Sequence, residues 1–148
     1  GTADELLPKT HLEFVFADSR CDSEQALFGA LELTTSQASG GGGAKAIIGD
    51  ACSIGSVTAA HIAHASNTPM VSPSSSSAEL SNGWIYPYFL RTIPSVAFTV
   101  EASIDVLKLL FGYTAIALAM SFNYYSILGA QKFAAEVEVN YGMTIVAT

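Results

Sequence analysis

Charge is what this sequence has least of. Asp, Glu, Lys and Arg make up 13% of its 148 residues, against roughly 25% in ordinary soluble domains. Basic residues are scarcest: six Lys and Arg face thirteen Asp and Glu, a net charge of −7. With no basic stripe to neutralise phosphates, nucleic-acid binding is excluded. The scattered cations do not suit an anionic membrane surface either. The opening GTADELLPKT has no basic n-region and no apolar h-region, so no signal peptide is read in this chain. Long apolar runs are also missing. The best, Ile104 to Phe122, is broken by Asp105, Lys108 and the Gly112-Tyr113 pair, which suits a buried helix and strand better than a membrane span. There are only two cysteines, Cys21 and Cys52. By spacing alone they decide nothing, and two reduced core thiols would be an ordinary reading.

What is present is an apolar chain, 50% hydrophobic, long enough for one domain with a core. Strand-like and helix-like runs alternate. HLEFVFA (His11 to Ala17) predicts a strand. DSEQALFGALELTTSQ predicts a helix with Asp22 as N-cap. SGGGG (Ser39 to Gly43) is a loop. KAIIG predicts a short strand, and Ile54 to Ser66 a tightly packed helix with Ser53 as N-cap. PMVS (Pro69 to Ser72) and YFLRTIP (Tyr88 to Pro94) predict strands. SVAFTVEASIDVLKLLFG predicts a long helix ended by Gly112. TAIALAM, SILGAQKFAAEVEV and MTIVAT predict strand, helix and strand. This order gives an α/β fold, doubly wound around a mostly parallel sheet. In such sheets ligands bind beyond the carboxyl ends of the strands. Two serine-rich loops, GDACSIGSV and SPSSSSAELS, fall at that edge, beside helix N-termini whose free N–H groups favour anions.

Catalytic and metal motifs are missing. His61 and His64 lie three apart on one helix without a third ligand. Ser53 has no G-x-S-x-G elbow and no base within reach. Gly40 to Gly43 lacks the GK[ST] of a P-loop. The chain is read as a non-enzyme with no cofactor. Trp84, Tyr86, Tyr88 and Phe89 form an aromatic cluster suited either to core packing or to a protomer interface.

The blocks LLPKTHLEFVFADSRCDSEQAL, AIIGDACSIGSV and NTPMVSPSSSSAELS, followed by YPYFLRTIPS, resemble the receptor-family ligand-binding region. This is the bilobed, type 1 periplasmic-binding-protein-like "venus flytrap" of natriuretic-peptide, GABA-B and metabotropic glutamate receptors. The resemblance implies Rossmann-like lobes, incomplete here: residues 1–93 form most of lobe 1, and 94–148 begin lobe 2 after a hinge crossing near 93–95. It implies that a strand and helix precede LLP and that more of the domain follows TIVAT. It implies a Cys21–Cys52 disulfide, and with it an extracellular or lumenal setting. It implies an amino-acid-like ligand whose carboxylate and amine meet Ser53, Ser74 and Ser76, with Ser75 offering backbone groups. Tyr125, or Tyr124 beside it, would close from lobe 2. Two positions depart from the family pattern: Gly49-Asp50-Ala51 replaces a GPG, and Ser126 replaces a glycine.

The expected function is therefore the ligand-binding module of a receptor ectodomain. It would form a homodimer or larger assembly, with membrane attachment only through segments outside this chain. The alternative is a receptor-like fold that has lost its pocket and serves as a structural subunit of a larger assembly.

Overall fold

The computed structural model describes Pro8 and residues 11–35, 42–122 and 124–147; of these, the side chains of Tyr124, Tyr125 and Ala147 are not described. The elements run α1 (Ser23–Thr35), β1 (Ile47–Ile48), α2 (Ser53–Ala65), β2 (Met70–Ser72), a 3-10 turn (Ala78–Ser81) and β3 (Phe89–Arg91). They continue as α3 (Val96–Asp105), β4 (Ala115–Ala117), α4 (Tyr124–Asn140) and β5 (Thr144–Ala147). Every strand pairing is parallel. One sheet has the order β1-β2-β3, with Ile47 opposite Met70 and Val71 opposite Leu90. A second sheet pairs β4 with β5. Parallel neighbours need a crossover, and the helical patterns between the strands provide it.

Each sheet has its own apolar cluster. Ala30, Ile47, Ala59, Ala60, Ala63, Met70, Leu80 and Tyr86 form the first. Val96, Val100, Ile104, Val137 and Met143 form the second. The alanines explain the first: small side chains along α2 let α1 and the sheet approach closely. α2 also touches α4.

Helix ends follow local chemistry. The Asp22 carboxylate accepts from Glu24 N and Gln25 N at 3.0 and 2.9 Å, capping α1 as its sequence predicts. Ser95 caps α3, accepting from Ala97 N at 3.3 Å. α3 loosens into a wide turn over Val106–Leu110 and stops at Gly112, whose φ of +70° suits glycine. The apolar run Ile104 to Phe122 is thus divided between a helix end, a turn and β4. Among the described residues no helix is long and apolar enough to cross a membrane.

Three expectations change. His11 to Ala17 is not a strand, and its residues are exposed. Alternating hydrophobicity supplies a face, but a strand also needs a ladder partner, and none is present among the described residues. Ser53 is not the N-cap of α2: Cys52 holds that position, and Ser53 is the first helical residue. The aromatic cluster splits. Tyr86 is buried and donates to Glu79 Oε1 at 2.7 Å, whereas Trp84 is 95% exposed. In the glycine loop, Ser39 to Gly41 lie outside the described residues.

Candidate ligand-binding site

Both serine loops leave the first sheet at the carboxyl ends of adjacent strands, β1 and β2. Parallel pairing carries them to one edge, and a web of hydroxyls joins them there. The carbonyl oxygen of Asp50 lies 2.6 Å from Ser72 Oγ and 3.0 Å from both Ser56 Oγ and Ser75 Oγ. Ser56 Oγ and Ser75 Oγ are 2.7 Å apart. A carbonyl has two lone pairs. Ser72 fills one. Of Ser56 and Ser75, one hydroxyl donates to the carbonyl and the other to its neighbour. Ser72 Oγ in turn accepts from Ser75 N at 2.9 Å. Ser56, Ser72 and Ser75 are fully buried, so this network belongs to the interior, where satisfied polar groups fix one arrangement.

The remaining candidates differ in exposure: Ser53 is buried, Ser76 half-buried and Ser74 exposed. Ser74 is exposed and donates to Ala51 O at 2.8 Å, pinning loop two onto loop one. Ser53 Oγ accepts from Ser77 N at 3.3 Å, and its own hydrogen has no acceptor among the described residues. The half-buried hydroxyl of Ser76 makes no hydrogen bond among them, while its carbonyl accepts from Val96 N at 2.7 Å and ties loop two to the start of α3. Ser75 is buried. Its N–H goes to Ser72, its hydroxyl to Ser56 and Asp50, and its carbonyl accepts from Arg91 Nη1 at 3.4 Å. These bonds make it a tie between the loops. Tyr125 lies in the first turn of α4. Its side chain, like that of Tyr124, is outside the described set.

Asp50 also places its side chain on α2. Oδ1 accepts from Cys52 N at 3.1 Å. Oδ2 is buried without a hydrogen-bond partner. A Cβ on Gly55 would overlap Oδ2 and stand 2.8 Å from Asp50 Cγ, so only glycine admits the carboxylate here. Cys21, in a left-handed turn with φ 53°, is disulfide-bonded to Cys52 at a Cα–Cα distance of 5.4 Å. The bond clips the chain before α1 to the cap of α2. Below loop two, the Arg91 guanidinium donates to Ser77 O at 2.7 Å and to Ser81 Oγ. Burial lowers its pKa from the usual value.

Sequence reasoning did not single out Ser56, Ser72 or Arg91. Ser56 sits one helical turn beyond Ser53, which was a usable signal. Ser72 and Arg91 end strands β2 and β3, where side chains meet the loops. His61 and His64 pack as tilted rings beside Tyr86 and Tyr88, with ring centroids 5.0 and 6.1 Å apart. Among the described residues no group of His, Cys, Asp or Glu could hold a metal ion.

Parallel βα units with polar loops gathered at the strand ends define a ligand-binding module of the α/β, periplasmic-binding-protein-like class. The chain belongs to the family described as the receptor family ligand binding region, which it matches over residues 2–147. It is 32% identical over 91 residues to the probable metabotropic glutamate receptor mgl-1 of Caenorhabditis elegans. That match covers 62% of this chain and 9% of the relative. Among solved structures it is similar to an ABC transporter substrate-binding protein from Desulfitobacterium hafniense, with 27% identity and a TM-score of 0.74. A structure of such a protein from the same organism in complex with Leu gives 27% identity and a TM-score of 0.75. Each covers 92% of this chain, and the chain spans 38% of each neighbour.

Proposed function

We propose that this chain is part of a two-lobed ligand-binding region that closes on a small amino-acid-like ligand. Residues 1–93 contribute to lobe 1 and 94–148 to lobe 2, with the crossing near 93–95. Two separate parallel sheets, each with its own core, support that division. The observation that carries the reading is the Asp50 carbonyl, which draws in hydroxyls from α2, β2 and loop two. It fixes the two loops as one rigid edge from which Ser74 and Ser76 are reachable, with the buried Ser53 beneath Ser77. A hydroxyl donates to a carboxylate and accepts from an ammonium, so this edge suits a zwitterion. The solved relative in complex with Leu supports the same ligand class.

Closure would bring α4, with Tyr125 in its first turn, over the ligand, and the ligand would favour the closed state by its contacts there. The disulfide supports an extracellular or lumenal face as the working location. Exposed Phe28 and Leu31 on α1 support a homodimer contact through lobe 1. Isothermal titration calorimetry against a panel of α-amino acids tests the function. At least one should bind with a Kd in the range of about 1–100 μM, some 5–8 kcal/mol, and Ser76→Ala should weaken it. No heat with any member of the panel would refute the reading.

A further inference from the structure

Asparagine stands at 67, 82, 123 and 140, and only Asn82 precedes a glycine. An asparagine amide and the backbone nitrogen after it can react with each other, the nitrogen displacing ammonia. A side chain on the following residue hinders that approach, and glycine has none. Asn82 and Gly83 are both exposed, just beyond the 3-10 turn Ala78–Ser81. The Gly83 N–H makes no hydrogen bond among the described residues. Asn82 Oδ1 accepts from Trp84 N at 3.1 Å, a local side-chain turn. That donor withdraws electron density from Cγ and sits where negative charge develops on the oxygen during attack. Asn67 shows the opposite arrangement. Thr68 after it is branched and buried, and its N–H is held by Ala63 O at 2.8 Å. Nor does the fold require glycine at 83. Its φ is not in the left-handed region, and a Cβ there would meet nothing within 4 Å.

We infer that Asn82 is a self-modification site, where the folded protein converts an amide to aspartate and isoaspartate through a succinimide. The Gly83 amide gives its proton to solvent base, and its nitrogen attacks Asn82 Cγ. The new C–N bond closes the ring, the bond from Cγ to Nδ2 breaks, and ammonia leaves with a proton from solvent. Water then adds to either ring carbonyl. Opening at Cγ leaves aspartate; opening at the main-chain carbonyl leaves isoaspartate, with the chain running through the side-chain carbons. Ring closure turns the Asn82 carbonyl away from the N–H groups of Ile85 and Tyr86, which it accepts at 3.1 and 2.9 Å. At this exposed turn water takes its place. Either product puts a carboxylate next to Ser81, whose hydroxyl receives the Arg91 guanidinium. The reaction thus sets an anion beside the cation that holds the end of loop two.

Incubation of the folded protein at mildly alkaline pH, followed by peptide mapping with mass spectrometry, tests it. Asn82 should convert to a mixture of aspartate and isoaspartate, with an acidic shift on isoelectric focusing, while Asn67 keeps its amide. Gly83→Ala, which the structure accommodates without contact, should slow the conversion at least about tenfold. An Asn82 that persists as long as Asn67 overturns the inference. Conversion seen only in denaturant also overturns it, because the folded turn would then be a shield. So does an unchanged rate in a Gly83→Ala protein that melts like the wild type.

Discussion

The hydroxyl oxygens of Ser56 and Ser75 lie 2.7 Å apart, although 19 residues separate them in the chain. One belongs to α2 and the other to the loop after β2, and both turn toward the carbonyl of Asp50. The two loops of the candidate site are therefore one unit, held by buried groups that cannot turn to water instead.

Removing either hydroxyl breaks that unit. Ser75→Ala should cost about 1–3 kcal/mol, because Asp50 O and Ser56 Oγ each lose a buried partner. Ser56→Ala should cost a similar amount. The double variant should cost less than the sum, since both act through the same carbonyl. Urea melts of the three variants give the coupling, and strict additivity would show that the pair does not act as one network.

Gly55 is held by the Asp50 carboxylate rather than by helix preference. Alanine in a helix interior normally gains about 1 kcal/mol over glycine. Here Gly55→Ala should instead destabilise by about 1–3 kcal/mol through overlap with Oδ2. Combining it with Asp50→Gly should recover most of that loss, as read by thermal denaturation.

The disulfide closes a loop between positions 31 apart in sequence, which constrains the unfolded chain by about 3–4 kcal/mol in the chain-entropy account. Cys21→Ser with Cys52→Ser should lower the denaturation midpoint accordingly. Added thiol reductant should have the same effect on the wild-type protein and none on the double variant.

Arg91 should matter to the loop more than to the sheet. Its guanidinium is partly desolvated and serves the carbonyls of Ser75 and Ser77 and the Ser81 hydroxyl. Arg91→Gln should weaken amino-acid binding by severalfold and raise amide hydrogen exchange in residues 74–81. Unchanged exchange there would mean that the loop is held without it.

Tyr141 donates to Asp105 Oδ1 at 2.8 Å, joining the chain just after α4 to the end of α3. That bond, with burial and the nearby carboxylates, raises the phenol pKa above its ordinary value. A raised folded-state pKa means that the contribution is fully present below the unfolded value of about 10 and fades as pH rises through the folded one. Absorbance titration near the phenolate band should show one tyrosine ionising late, and Asp105→Asn should move it back toward the ordinary range.

Much of this molecule was legible beforehand. Asp22 reads as an N-cap because a carboxylate two and three residues before free N–H groups needs no distant partner. Gly112 reads as a helix stop for the same local reason. The family likeness implied that Cys21 and Cys52 pair. The strand reading of His11 to Ala17 did not hold, because pairing depends on a neighbouring strand and periodicity reports only a face. Ser53 lost the cap to Cys52, a shift of one residue that side-chain preference does not resolve.

From α1 onward the sequence by itself determined the order of strands and helices, and it placed both serine loops at strand ends, because apolar period and turn chemistry act over a few residues. Tertiary structure decided which hydroxyls look outward. Asp50 meets Ser72 and Ser75 across 22 and 25 residues, and a hydroxyl turns toward whichever buried acceptor the folded chain brings within hydrogen-bond range.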